Sequence, residues 1–126
     1  MSIAAWLSIR NIHLFLMYIG VVKIDLDGLV LGVLANGPLH GYGIVKALRA
    51  QSGDLFKVGE GLLYPLLHRL EDDQCIQAEW QTTTEGRPPR KVYALTEMGR
   101  KRLAARRTEW ESMRSAVNTI LLPEGA

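Results

Sequence analysis

The stretch Gly59 to Asp73, reading Gly-Glu-Gly-Leu-Leu-Tyr-Pro-Leu-Leu-His-Arg-Leu-Glu-Asp-Asp, does most to limit what this chain can fold into. At about 100° per residue, Leu62, Leu63, Leu66, Leu67 and Leu70 gather on one side of a helix, and Gly61, Tyr64, Pro65, His68 and Asp72 on the other. One face packs and the other is free to touch something. Gly59 and Glu60 suit the helix start, where free N–H groups and the positive end of the macrodipole favour negative charge, from Glu60 or from a ligand's phosphate. Glu71, Asp72 and Asp73 would repel phosphate at the far end. If such a helix enters a nucleic-acid groove, it goes in N-terminus first with its acidic end held clear. The plain alternative is an ordinary amphipathic core helix.

At 126 residues the chain is long enough for one domain with its own core, and 48% apolar with 22% charged residues is globular, not disordered, composition. Cys75 is the single cysteine, which excludes an intramolecular disulfide and a cysteine metal cluster and reads as a buried structural thiol. The net charge of +2 hides an asymmetry: residues 84–107 hold eight Lys or Arg against two Asp or Glu, whereas residues 1–83 hold six against eight. A basic block of this kind is the footprint of a polyanion partner, or else a merely solvated face.

Residues 1–22 form an apolar N-terminal extension in which Arg10, Asn11 and His13 are the strongly polar side chains from Ile3 onward. The run is long enough to span a bilayer, but those three sit mid-span, where each is costly. A secretory signal fits poorly, with no basic n-region and no small-x-small cleavage site. An extra helix packing across a dimer, or a segment ahead of the native start with Met17 as an internal start, ranks above a membrane anchor. Beyond it, a first helix opens at Asp25 or Asp27, either able to cap, and stops at Asn36-Gly37-Pro38. A second starts near His40-Gly41, carries Tyr42, Ile44, Val45 and Leu48, and ends at Ser52-Gly53. With the Gly59 helix as the third, this is helix-turn-helix order.

After Cys75 the period changes to two: Ile76, Ala78, Trp80 and Thr82 alternate with polar residues, predicting a strand with one covered face. Thr84 to Arg90, with Gly86, Pro88 and Pro89, is a turn, and Lys91 to Leu95 is a second strand. Arg87, Arg90 and Lys91 are then expected at the tip of a hairpin, three cations suited to phosphates. Thr96 caps a long last helix. Along it, positions 103, 106, 110, 113, 117 and 120 follow four-three spacing and, apart from Arg106, form an apolar seam of Leu103, Trp110, Met113, Val117 and Ile120, with Leu121 and Leu122 broadening the stripe. A seam on a terminal helix predicts a homodimer, against packing within one chain as the alternative. The domains read as 1–22 extension, 23–96 DNA-binding domain, 97–122 dimerisation helix and 123–126 tail.

Catalysis has no visible machinery: there is no nucleophile beside a base, and Glu71, Asp72 and Asp73 splay around the helix instead of converging. The three histidines lack metal-ligand spacing, so neither metal nor cofactor is expected. His68 either reaches a phosphate or base edge or is simply solvated.

Gly37-Pro38-Leu39-His40-Gly41-Tyr42 followed by Ile44, Leu63-Tyr64-Pro65 with His68-Arg69-Leu70-Glu71, Glu79-Trp80, Gly86-Arg87-Pro88, Tyr93-Ala94-Leu95-Thr96 and Gly99-Arg100 come in an order that resembles the PadR family of bacterial transcriptional regulators, over roughly Lys23 to Leu122. The resemblance is to its short type. It implies a mainly α fold with a small β-hairpin, a winged helix-turn-helix with a long C-terminal dimerisation helix. It further implies a cytoplasmic repressor that binds double-stranded DNA at an inverted repeat, often released by a small aromatic or drug-like effector. Carried onto this sequence, the DNA contacts are Tyr42, Gly61, Leu62, Leu63 and Tyr64 with Arg87, Arg90 and Lys91, and Trp110 is where some members stack planar ligands. Leu62 departs from the family's usual Ser or Thr, and Gly59 from its frequent Ser or Glu, which shifts sequence preference toward phosphate contacts and DNA shape. A winged-helix module that uses its hairpin on a partner protein is the competing reading.

Overall fold

The computed structural model describes residues 26–84 and 86–124. Helix α1 covers residues 26–34. There follow β1 (Leu39–His40), α2 (Gly41–Gln51), α3 (Glu60–Asp72), β2 (Ile76–Gln81), β3 (Arg90–Leu95) and α4 (Glu97–Leu121). The core forms where Leu26, Val30, Leu31 and Leu34 of α1 meet Ile44 and Leu48 of α2 and Leu63, Leu66, Leu67 and Leu70 of α3, with Ile76 and Tyr93 of the sheet closing one side. The expected extension 1–22 and the Asp25 cap lie outside the described residues. Asp27 is already inside α1 and does not cap it; its carboxylate accepts from Arg69 Nη2 at 3.4 Å and ties α1 to α3. Among the described residues, no helix is long and apolar enough to cross a membrane.

α3 begins one residue after Gly59 and ends where Gln74 takes a positive φ of 61°. Gln74 N donates to Glu71 O and Cys75 N to Leu70 O, each at 2.9 Å, the paired bonds that satisfy the last carbonyls of a helix closed by a left-handed residue. Leu62 was expected in the packing stripe but is 49% exposed. The reason is angular: Leu63, Leu66, Leu67 and Leu70 centre the buried face, and Leu62 stands about 90° from that centre at 100° per residue.

The sheet has three strands, not a lone hairpin: β3 lies between β1 and β2, both antiparallel to it. Two residues of β1 are too few for periodicity to reveal. On β2 the covered face exists only at its start. Ile76 is buried and Ala78 half-buried, but Trp80 is 70% exposed and Thr82 is exposed beyond the strand's end, because the hairpin runs on past the helices that cover its root.

Thr96 caps α4 as expected: its Oγ1 accepts from Gly99 N at 3.1 Å, and its hydroxyl donates to Gln74 O. The start of α4 presses on the turn after α3 so closely that a Cβ on Gly99 would overlap the Cys75 carbonyl oxygen. Leu103 is 6% exposed within this one chain, so it belongs to the monomer core and not, as expected, to a dimer stripe. Beyond it the helix leaves the body, and Trp110, Met113, Val117, Ile120 and Leu121 are uncovered.

Candidate nucleic-acid interface

The free face of α3 carries Gly61, Leu62, Tyr64, Pro65 and His68, all exposed. Its N-cap, Gly59, makes no side-chain capping bond. Pro65 lies inside the helix and has no N–H, so the carbonyl of Gly61, four residues back, loses its usual helical donor on that same open face. Leu63 was expected among the contacts but is fully buried. It alternates with its exposed neighbours around the turn, and its side chain serves the core.

α2 adds to this surface at its start. Tyr42 is 55% exposed, with Lys46 Nζ 5.5 Å from its ring centre and His40 edge-on at 6.4 Å. Gly41 lets α3 approach: a Cβ there would sit 2.6 Å from the Tyr64 hydroxyl oxygen. Any larger residue would push Tyr64 outward and deform the shared face.

The hairpin supplies cations, but not in the expected cluster. Arg87 is exposed in the loop, whereas Arg90 and Lys91 are the first two residues of β3, paired with Gln81 and Trp80. Lys91 Nζ donates to Glu71 Oε1 at 3.0 Å and lies 5.5 Å from the Tyr93 ring centre. Lys91 is therefore an anchor between hairpin and α3 and not a tip cation, and the bond to Glu71 pushes its pKa up. Arg90 Nη1 lies 3.4 Å from His40 Nε2; a guanidinium can only donate, so this ring nitrogen accepts. Arg102 Nη1 likewise donates to Asp73 Oδ2 at 3.0 Å. Two of the three acidic residues at the end of α3 are thus neutralised by cations from the basic block.

Between α3, the start of α2 and the hairpin is a cleft of about 360 Å³, lined by His40, Tyr42, Tyr64, His68, Trp80, Arg90 and their neighbours. Sequence reasoning placed Tyr64, His68 and Arg90 at a surface but missed Trp80 and His40. Periodicity assigns Trp80 to a covered face; its place opposite Lys91 is set by the hairpin's register, which periodicity does not give. A larger cavity, about 650 Å³, lies between α1, α2 and α4, with Leu29, Val33, Phe56, Arg107 and Trp110 in its walls. Arg106 crosses Gly28 and reaches Glu109 Oε2 at 3.4 Å.

Three core helices, a hairpin beside the third and a long helix beyond define a winged-helix protein of the transcription-regulator kind. Residues 30–105 match the Transcriptional regulator PadR-like family. The chain belongs to that family of transcriptional regulators, which is not an enzyme family. A PadR-like transcriptional regulator from Bacillus cereus is similar over 83% of this chain and 99% of its own, at 28% identity and a TM-score of 0.71. The negative transcriptional regulator PadR of Bacillus subtilis is 32% identical over 75 residues, 59% of this chain and 40% of that protein. The structure of Bacillus subtilis PadR in complex with operator DNA is similar at a TM-score of 0.57 and 29% identity, over 64% of this chain and 45% of that one. This chain therefore matches less than half the length of the Bacillus subtilis protein.

Proposed function

We propose that this regulator is a cytoplasmic repressor that binds an inverted-repeat operator in double-stranded DNA as a homodimer. The observation that carries the reading is the open face of α3, whose Tyr64 and His68 share a cleft with Tyr42 and Arg90, with Arg87 exposed in the hairpin loop. The operator complex of the Bacillus subtilis relative supports the same partner. α3 enters the major groove by its first turns, with Gly61, Leu62 and Tyr64 toward the bases, His68 toward the backbone and the hairpin against the flanking phosphates. Glu71 and Asp73, already paired, add little repulsion.

Pairing through α4 follows from its uncovered stripe. Trp110, Met113, Val117, Ile120 and Leu121 are between 44% and 77% exposed in the single chain, a long apolar surface for a helix in water. Two copies would bury it and set two α3 helices one DNA turn apart, about 34 Å. The effector belongs in the cavity beside Trp110, whose apolar walls and Arg107 suit a planar aromatic molecule. It releases DNA only to the extent that it binds better to a helix pair whose spacing no longer fits.

The test is titration of the protein with its own upstream DNA across a salt series, with sedimentation in parallel. Expected is dimer-dependent binding that weakens by roughly 0.9 log units per log salt for each phosphate neutralised. A shallow salt response with no DNA preference would favour a protein partner at the hairpin. Equal operator affinity of wild type and Trp110→Ala, with and without aromatic compounds, would remove the effector role of Trp110.

A further inference from the structure

If α3 occupies a major groove while the hairpin lies against the flanking backbone, a sugar-phosphate strand has to cross the space between them. This follows from the reading above and from duplex geometry, since a strand separates the major groove from the adjoining minor groove. The space is the cleft of about 360 Å³, and Trp80 stands in its hairpin wall. Among the described residues, nothing in the packing accounts for this indole. It shares a sheet face with Ile76, which is 2% exposed, yet Trp80 itself is 70% exposed because the ladder outruns the core.

The surroundings specify what the indole can meet. Lys91, directly opposite, donates to Glu71, so the ammonium group in the cleft's lining is already paired. Arg90, also in the lining, contacts His40 through one N–H, which steadies the guanidinium and leaves its other N–H groups to donate. His68 and Tyr64 face Trp80 from α3. An apolar plate and a guanidinium lining one cleft match a nucleotide backbone, in which an apolar deoxyribose alternates with an anionic phosphate. We propose that Trp80 is a backbone contact: its indole face lies on a deoxyribose of the strand that spans the cleft, while Arg90 donates to the adjoining phosphate.

A neutral contact of this kind adds affinity without releasing counterions, which separates it from every cationic one. The experiment titrates the full-length chain and its W80A, W80F and R90A variants with two duplexes of about 30 base pairs, long enough for two half-sites one turn apart. One duplex comes from upstream of its own gene and the other is unrelated, and both are followed across a salt series. W80A should weaken binding to both duplexes by about tenfold, the size of one aromatic contact to nucleic acid, with the salt slope unchanged. W80F keeps the aromatic plate and should stay within about threefold of wild type on the same grounds. R90A should weaken binding and flatten the slope by about 0.9. Unchanged affinity of W80A, a loss confined to one duplex, or a changed slope in W80A would each overturn the assignment of Trp80 while DNA binding stands. Salt-insensitive or absent binding by the wild type would overturn the DNA reading itself.

Discussion

Gln74 and Gly99 show how much of this fold turns on single backbone positions. Gln74 is held at a φ of 61°, in the left-handed region that costs a residue with a Cβ roughly 1 kcal/mol or more. Gln74→Gly is therefore expected to raise stability by about 1 kcal/mol, read as a higher denaturant midpoint at unchanged slope. Gly99 is the opposite case. Its Cα lies against the Cys75 carbonyl, which also accepts from Thr96 N at 3.1 Å, so there is no room for a methyl group. Gly99→Ala should cost about 1–3 kcal/mol, as overpacking does, because α4 must shift off the turn it caps. No drop in the melting midpoint would contradict that packing. Neither role was legible in the sequence: nothing local to Gln74 demands a left-handed residue, and the partner of Gly99 is far along the chain.

At the level of elements, the hairpin is steered by one ion pair. Lys91 and Glu71 are each about a quarter exposed, and at 3.0 Å they join β3 to the end of α3. Glu71→Gln should cost under about 1 kcal/mol of stability, the usual worth of such a pair, but should raise hydrogen exchange in the hairpin relative to the core. The same pair bears on pH. Its hydrogen bond raises the Lys91 pKa, while burial raises the Cys75 thiol and the Tyr93 phenol. All three hold their protons more tightly folded than unfolded. Their contribution is complete below the ordinary values of 9.0, 10.0 and 10.5 and is lost as pH rises through the higher folded values. Stability should accordingly decline from about pH 9 upward, and Cys75→Ala should remove the earliest part of that decline. Denaturant midpoints measured from pH 7 to pH 11 check both; a flat profile would count against these shifts.

At the level of the whole molecule, α4 projects from the body with its apolar stripe bare. Replacing Val117 and Ile120 by Asp puts charge into the seam and, on the dimer reading, should give a folded monomer by sedimentation. Its helical circular dichroism in the 26–103 core should persist, because Leu103 and the residues before it are covered within one chain. Operator affinity should fall by a hundredfold or more, since each half-site then binds alone and loses its effective concentration. A variant that remains dimeric would place the interface elsewhere.

The sequence by itself determined the order of the helices and the two hairpin strands, the ends of α2, α3 and α4, the Thr96 cap and the family, because caps, glycine–proline stops and periodicity act within a few residues of one another. Tertiary structure decided which faces those elements show. It took Leu103 into the core, brought Leu62 and Trp80 out of it, and drew Lys91 from the hairpin to Glu71. It also added β1 to the sheet. Periodicity marks the apolar side of an element but not how far its neighbours extend along it. Only where α3 ends against the hairpin, and where α4 leaves the body, is it settled which apolar side chains of the described residues are buried within this chain and which stay exposed.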